Sequence, residues 1–289
     1  MKVLITGALG QLGRDLVATS LAAGDEVIGV DMVDFDIADR DAVHASILAA
    51  SPDVVYHCAA FTAVDDCESK PDVAFTVNAG ATRHVAEAAS RVGAHLVAIS
   101  TDYVFDGTKP VGSPYVEWDV PNPLSIYGKS KLGGEQEART LAPTGAIVRT
   151  SWVCGAGGGN MVKTVLRMLA EDPTREFTFV ADQHGCPTFT ADLAPALRGL
   201  AAARLPGTFH VTNQGPTTWH EFVQGVVVAA GGSADQVRAI TSAELQPPRP
   251  APRPTNSVLD NMGLRLTGQP ALDHWSEPLA RLVAELSAP

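Results

Sequence analysis

The chain has 289 residues, 45% apolar and 18% charged, with a net charge of −11 and a mean hydropathy of +0.07. That length can bury one large core, or a large domain with a smaller companion. No apolar run approaches the ~20 residues of a membrane span, no leader-like segment precedes the first strand pattern, and no Lys/Arg stripe offers nucleic acid an electrostatic footprint. A cytoplasmic protein without membrane or nucleic-acid partners is therefore expected. The negative charge still leaves room for a small anionic ligand, which a helix N-terminus and one or two arginines can hold locally.

Val3–Ile5 predicts a first strand ending at Gly7, and Leu12, Leu16, Val17 and Leu21 then recur at helical spacing until Gly24. Glu26–Val30 predicts a second strand closed by Asp31, followed by a helix at about Asp39–Ala50. Val54–Tyr56 is a third strand, and Val73, Val77, Ala81, Val85 and Val92 mark one longer helix ended by Gly93. Leu96–Ser100 and Ala146–Val148 are further strands. Strands that are apolar throughout, separated by amphipathic helices, belong to a parallel sheet covered on both faces. In the second half, Phe177–Val180 and Phe209–Val211 predict short strands, with helices at about Met161–Leu169 and Trp219–Ala230. Five of the eight residues from Pro247 to Pro254 are proline, which predicts an extended segment, a linker unless Arg249 and Arg253 serve a ligand. The expected architecture is α/β: a doubly wound parallel sheet over residues 1–151, to which the chain returns at about 178–211, and a smaller, mainly substrate-binding lobe over 152–289.

Gly7, Gly10 and Gly13 lie between the first strand and its helix. The first glycine permits a tight turn, the second lets the backbone approach a pyrophosphate, and the third lets helix and strand pack closely. The helix start, with Gln11 and Leu12, offers its free N–H groups to phosphate. Asp31, 18 residues beyond Gly13, fits the carboxylate that accepts hydrogen bonds from an adenosine ribose. A dinucleotide is the expected cofactor. Asp31 repels a ribose phosphate and no arginine follows before Arg40, which favours NADH over NADPH.

Tyr127 and Lys131 stand four apart at the start of a helix, so both project from one face. A tyrosine with a pKa near ~10 is a poor proton-transfer group at neutral pH, and a neighbouring ammonium together with a positive nicotinamide is expected to bring it down. This pair suits proton transfer to a carbonyl under reduction. The four cysteines show no metal spacing, and Cys58 and Cys154 read as packed thiols. The eight histidines are likewise scattered, so no metal site is expected. Gly133-Gly134 inside the same helix suggest close approach to a neighbouring element.

With seven blocks in order, the sequence resembles the dTDP-4-dehydrorhamnose reductases among the extended short-chain dehydrogenases/reductases. The blocks are Ile5–Gly13, Pro52–Asp66, Ser100–Gly107, Pro123–Glu135, Arg149–Val153, Asp182–Thr188 and Arg253–Asp260. The resemblance implies a Rossmann fold and reduction, by NAD(P)H, of the 4-keto group of a dTDP-linked 6-deoxy-4-hexulose. It implies that Thr101 orients the carbonyl beside Tyr127, while Lys131 also binds the nicotinamide ribose. Ser100, Ala59, Ala60 and Phe61 would line the cofactor, with Asp36 and Ile37 near the adenine. Asp102, Tyr103, Trp152, Arg253 and Asn256 would serve the nucleotide sugar. Related dehydratases have Asp-Glu where this chain has Asp102-Tyr103, so the second carboxylate of an elimination is missing. Some members hold a divalent cation between two subunits; one ligand position falls on Asp15, but the other falls on Ala191, beside Asp192. A homodimer is compatible with the resemblance. Two alternatives share the Tyr-Lys pair: an NADP-binding regulatory subunit like that of methionine adenosyltransferase, and a nucleotide-sugar epimerase. Trp152 and the Arg253–Asp260 block favour an enzyme over the regulatory subunit, while spacing alone does not separate reductase from epimerase.

Overall fold

Six parallel strands form the centre of the molecule, whose computed structural model describes residues 1–287. The first half runs β1 (Lys2–Thr6), α1 (Gln11–Ala22), β2 (Glu26–Val30), α2 (Arg40–Ala50), β3 (Val54–His57), α3 (Val64–Ser69), α4 (Pro71–Phe75), α5 (Ala81–Val92), β4 (His95–Thr101), α6 (Ile126–Leu141) and β5 (Ala146–Thr150). Then follow β6 (Val153–Cys154), α7 (Met161–Glu171), β7 (Phe177–Val180), β8 (His184–Gly185), β9 (Thr188–Phe189), α8 (Thr190–Ala202) and β10 (Gly207–His210). The chain ends with β11 (Thr217–Thr218), α9 (Trp219–Ala229), β12 (Val237–Ile240), α10 (Met262–Leu266) and α11 (Ser276–Ser287). No described helix is long and apolar enough to cross a membrane.

The central order is β10-β5-β4-β3-β1-β2. The chain steps from β1 outward to β2 and then back to β3 on the other side. A crevice therefore opens at the carboxyl ends of β1 and β3, the usual ligand position of such sheets. The four inner strands, β5, β4, β3 and β1, are buried on both faces, which is why they read as apolar runs. On one face Val3, Ile5 and Tyr56 pack with Leu12 and Leu16 of α1 and Leu193 and Leu197 of α8. On the other, Leu4 and Val55 pack with Val43 and Ile47 of α2, Val85 and Ala86 of α5 and Ala138 of α6. A third core, around Val162, Phe177, Phe222, Val226, Leu279 and Leu282, belongs to the C-terminal lobe.

Three expectations are corrected. Phe177–Val180 does not join the central sheet: it pairs in parallel with β12, Phe177 opposite Val237. The chain re-enters the first domain only with α8, packed beside α1, and then β10, which pairs with β5. Pro195 inside α8 disguises that helix, because proline removes a helical hydrogen bond and is normally read as a breaker. The stretch Val73–Val92 is not one regular helix: α4 passes through a π-helical turn at Thr76–Gly80 before α5 begins.

Candidate active site

The cleft begins at Gly7. Its φ is +69°, and a Cβ there would lie 2.8 Å from the backbone nitrogen of Ala59, so side-chain-free backbone is required where β1 meets the end of β3. A Cβ on Gly13 would run into the carbonyl of Gly7, and one on Gly10 would come within 3.1 Å of the same oxygen. Gly10 starts α1 without any side-chain cap, leaving first-turn N–H groups free for an anion. This cradle fits a dinucleotide diphosphate. Gln11 fixes its far wall: its carbonyl oxygen accepts from Asn160 (2.8 Å) and Gly155 (3.2 Å), and its amide donates to Gly159 (3.0 Å). Asp31 accepts the N–H groups of Leu9 and Met32, both at 2.8 Å, one on each oxygen. Each oxygen keeps a lone pair, so the carboxylate can steady the turn and still receive a ribose hydroxyl.

A hollow of about 430 Å³ unites the Gly7–Gly13 turn with Ala60, Ser100, Thr101, Asp102, Tyr103, Tyr127, Lys131 and Trp152. Ala59, Phe61, Asp31, Asp36 and Ile37 lie outside this lining. The Ile37 side chain is part of the core, and Asp36 accepts the N–H of Ala38 at 2.9 Å. Phe61 is held by Asn78, which accepts its N–H at 2.8 Å and donates to its carbonyl at 3.0 Å. The same Asn78 amide donates to Ser130 of α6 at 2.9 Å. The π-turn that carries Asn78 thus ties the cofactor segment after β3 to the helix of Tyr127 and Lys131.

Helix α6 starts from Ser125, whose hydroxyl accepts the N–H of Gly128 at 3.1 Å. A Cβ on Gly128 would collide with the carbonyl of Tyr103, and one on Gly134 with that of Asn78; Gly133 lies against Ala79. Close approach is therefore the reason for all three glycines. It brings the Tyr127 ring edge-on to Tyr103 at 5.9 Å. Burial pushes the Tyr127 phenol well above its ordinary value, with Thr101 opposing. The Lys131 ammonium donates to the carbonyl of Ile99 at 2.7 Å, and burial lowers Lys131 itself to about 8. Behind it, Glu135 forms a buried pair with Arg149, two bonds of 2.8 Å, and accepts the Ser100 hydroxyl at 2.6 Å. The Ser100 hydroxyl thus points into the core rather than at a cofactor.

Trp152 holds a left-handed backbone (φ +45°) and stacks on Trp219 at 3.8 Å, both lining the hollow. Gly185 makes this possible, since a Cβ there would meet the Trp152 ring at 2.6 Å. His184, in the same block, lines a different hollow of about 590 Å³, which contains none of the Tyr-Lys machinery despite its larger size. Arg253 does not line the 430 Å³ hollow either. Its fork is bidentate on Asp65, at 2.8 and 2.9 Å, and pins the proline-rich segment onto α3. Asn256 ties its segment down: its amide donates to the carbonyls of Lys109, Pro110 and Ser113, and its oxygen accepts from Val258. Asp192 is engaged by Asn213 and Arg281, both at 2.7 Å.

The family model described as RmlD substrate binding domain matches residues 1–288. The dTDP-4-dehydrorhamnose reductase of Streptomyces griseus is 43% identical over 282 residues, covering 96% of this chain and 91% of the relative. The crystal structure of a dTDP-4-dehydrorhamnose reductase from Clostridium acetobutylicum superposes with a TM-score of 0.94 at 41% identity, covering both chains fully. That of the Bacillus anthracis dTDP-4-dehydrorhamnose reductase in complex with NADP gives 0.93 at 39%, over 99% of this chain and 100% of the other.

The chain belongs to the dTDP-4-dehydrorhamnose reductase family. It is accordingly an NAD(P)-dependent oxidoreductase with a Rossmann domain. Reading the sequence missed Asn78, Asp65 and Trp219. Asn78 sits in a π-turn that apolar periodicity renders as ordinary helix. Asp65 acquires its meaning only from Arg253, 188 residues away. Trp219 opens α9, where an aromatic reads as core; its neighbour Thr218, with Glu221, does carry a capping-box signature.

Proposed function

We propose that this enzyme reduces the 4-keto group of a dTDP-linked 6-deoxy-4-hexulose, converting dTDP-4-dehydrorhamnose to dTDP-L-rhamnose or carrying out a closely related step. One observation carries the reading: Thr101, Tyr127 and Lys131 share a single cleft with the Gly7–Gly13 cradle and the Trp152–Trp219 pair. NAD(P)H, when bound, supplies the hydride. The uncapped start of α1 holds its diphosphate, Asp31 its adenosine ribose and Lys131 its nicotinamide ribose. Tyr127, kept neutral by burial, donates its proton to the alkoxide oxygen as that charge develops. Thr101 orients the same oxygen. The stacked indoles offer an apolar face to the sugar or its base. Arg253, released from Asp65, offers its fork to the diphosphate of the nucleotide sugar.

Asp31 favours NADH, because a carboxylate repels a ribose phosphate and the next basic residue, Arg40, is paired with Glu87 at 3.2 Å. Equal kcat/KM with NADH and NADPH would remove this preference. The whole reading is tested with a panel of dTDP-4-keto-6-deoxysugars and both cofactors, identifying the product configuration. Turnover of none of them, or undiminished turnover by Tyr127→Phe, would refute it.

A further inference from the structure

Thr101 has one hydroxyl hydrogen, and the heavy-atom geometry directs it at Asp102. Its oxygen accepts the N–H of Tyr103 at 3.2 Å, and its hydrogen is donated to a carboxyl oxygen of Asp102 at 3.0 Å. A threonine in this state has no hydrogen left for a substrate carbonyl. We propose that Asp102 must carry a proton for turnover: as an acid it donates to the Thr101 oxygen, which frees the threonine hydrogen for the keto oxygen. This rests on the reductase reading above and makes Asp102 a positioning residue that acts through Thr101. It requires only a change of hydrogen-bond direction, with no bond broken apart from the protonation of Asp102 by solvent.

The surroundings of Asp102 favour the acid. Its side chain is buried, and its second oxygen has no partner among the described residues. The nearby Ser257 hydroxyl, which also reaches the carbonyl of His184 at 3.3 Å, and the N–H groups of Asp102 and Tyr103 favour the carboxylate, but burial outweighs them. Around the carboxyl stand Tyr103 and Tyr127, both held neutral by burial, and the Cys186 thiol, likewise pushed up by burial to about 11. The charged groups on this side of the cleft are Lys131, which lines the same hollow and donates to the carbonyl of Ile99, and the Asp65–Arg253 pair, whose guanidinium also reaches Tyr103. No cation hydrogen-bonds Asp102 among the described residues, and an ionised carboxylate without compensation is costly in such a place. Burial accordingly raises Asp102 to about 7.

The deciding experiment is the pH dependence of kcat/KM for the keto sugar in wild type and in Asp102→Asn, each scaled to its own maximum. Wild type should lose about tenfold per pH unit above about 7. In Asp102→Asn the limb that begins near 7 should vanish, because a carboxamide donates to Thr101 at every pH, which leaves only the later loss above about 8 set by Lys131. A wild-type profile flat through pH 9, or an unchanged limb in Asp102→Asn, overturns the proposal. A second readout needs neither turnover nor the variant's kinetics: the infrared difference spectrum of the wild-type protein between pH 6 and pH 8. A protonated-carboxyl band that is lost over this interval, and is missing from Asp102→Asn or shifted by aspartate isotope labelling, supports it. Absence of such a band at pH 6 overturns it. Failure of every keto sugar at every pH, with the band present, would instead count against the reductase reading.

Discussion

Tyr127 shows two physical effects of opposite sign acting on one phenol. A nearby ammonium favours the phenolate and burial favours the phenol; burial wins, with Lys131 turned to the Ile99 carbonyl. A neutral phenol suits reduction, where the tyrosine gives a proton away. Tyr127→Phe should therefore lower kcat by about 10²–10⁴-fold, with cofactor affinity, followed by nicotinamide fluorescence titration, nearly unchanged. Arg253→Ala tests the other end of the cleft: KM for the nucleotide sugar should rise roughly tenfold while the cofactor KM stays within about twofold. Equal effects on both would mean that Arg253 serves only to pin its segment to Asp65. The Tyr-Lys pair was legible because four residues on a helix fix a geometry locally. The Asp65–Arg253 pair was not, since nothing near either residue names its partner. Asn256 is a related case: the same amide suits a sugar hydroxyl or backbone carbonyls, and only the fold shows that it meets three of the latter.

At the scale of elements, the position of α6 determines the site. Gly128 lets the helix settle directly onto the Tyr103 carbonyl, next to Thr101 and Asp102. Gly128→Ala should push these segments apart, costing about 1–3 kcal/mol of stability in urea unfolding and lowering kcat even in the fraction that remains folded. A kcat equal to wild type would show that the contact is not needed for alignment. The glycines of this helix did announce a close approach, although not what approaches. The elements that escaped the sequence reading share a trait: each departs from a regular period, α8 by its internal proline and the Thr76–Gly80 segment by its wider turn. Those departures have consequences here, because the wider turn carries the Asn78 bridge.

Across the whole molecule, the first domain was legible and the second lobe only in outline. Parallel strands buried on both faces betray themselves by unbroken apolar runs. The lobe is joined by short pairings between distant segments, such as β7 with β12 and β8 with β11, which leave little pattern. The first domain is also tied by ions. Arg198 of α8 forks onto Asp25, just before β2, at 2.7 and 3.0 Å, and holds its carboxyl below the ordinary 3.8. Asp25→Asn should cost about 2–4 kcal/mol at pH 7. Because the folded-state value is depressed, that contribution is present in full above the unfolded value and is lost as pH falls through the folded one. Urea unfolding at pH 7 and pH 5 should therefore give nearly the same deficit, and the gap should close only in strong acid. A gap already closed at pH 5 would contradict the pairing.

Of the four tryptophans, Trp118 is exposed, Trp275 packs against Phe222, and only the stacked Trp152 and Trp219 face the cleft. The pocket therefore carries its own optical probe. In a chain with Trp118→Phe and Trp275→Phe, all indole emission comes from two rings that a ligand must touch or pass. Arrival of a nucleotide sugar and arrival of a reduced nicotinamide, which absorbs that emission, become separately visible in stopped flow without any label.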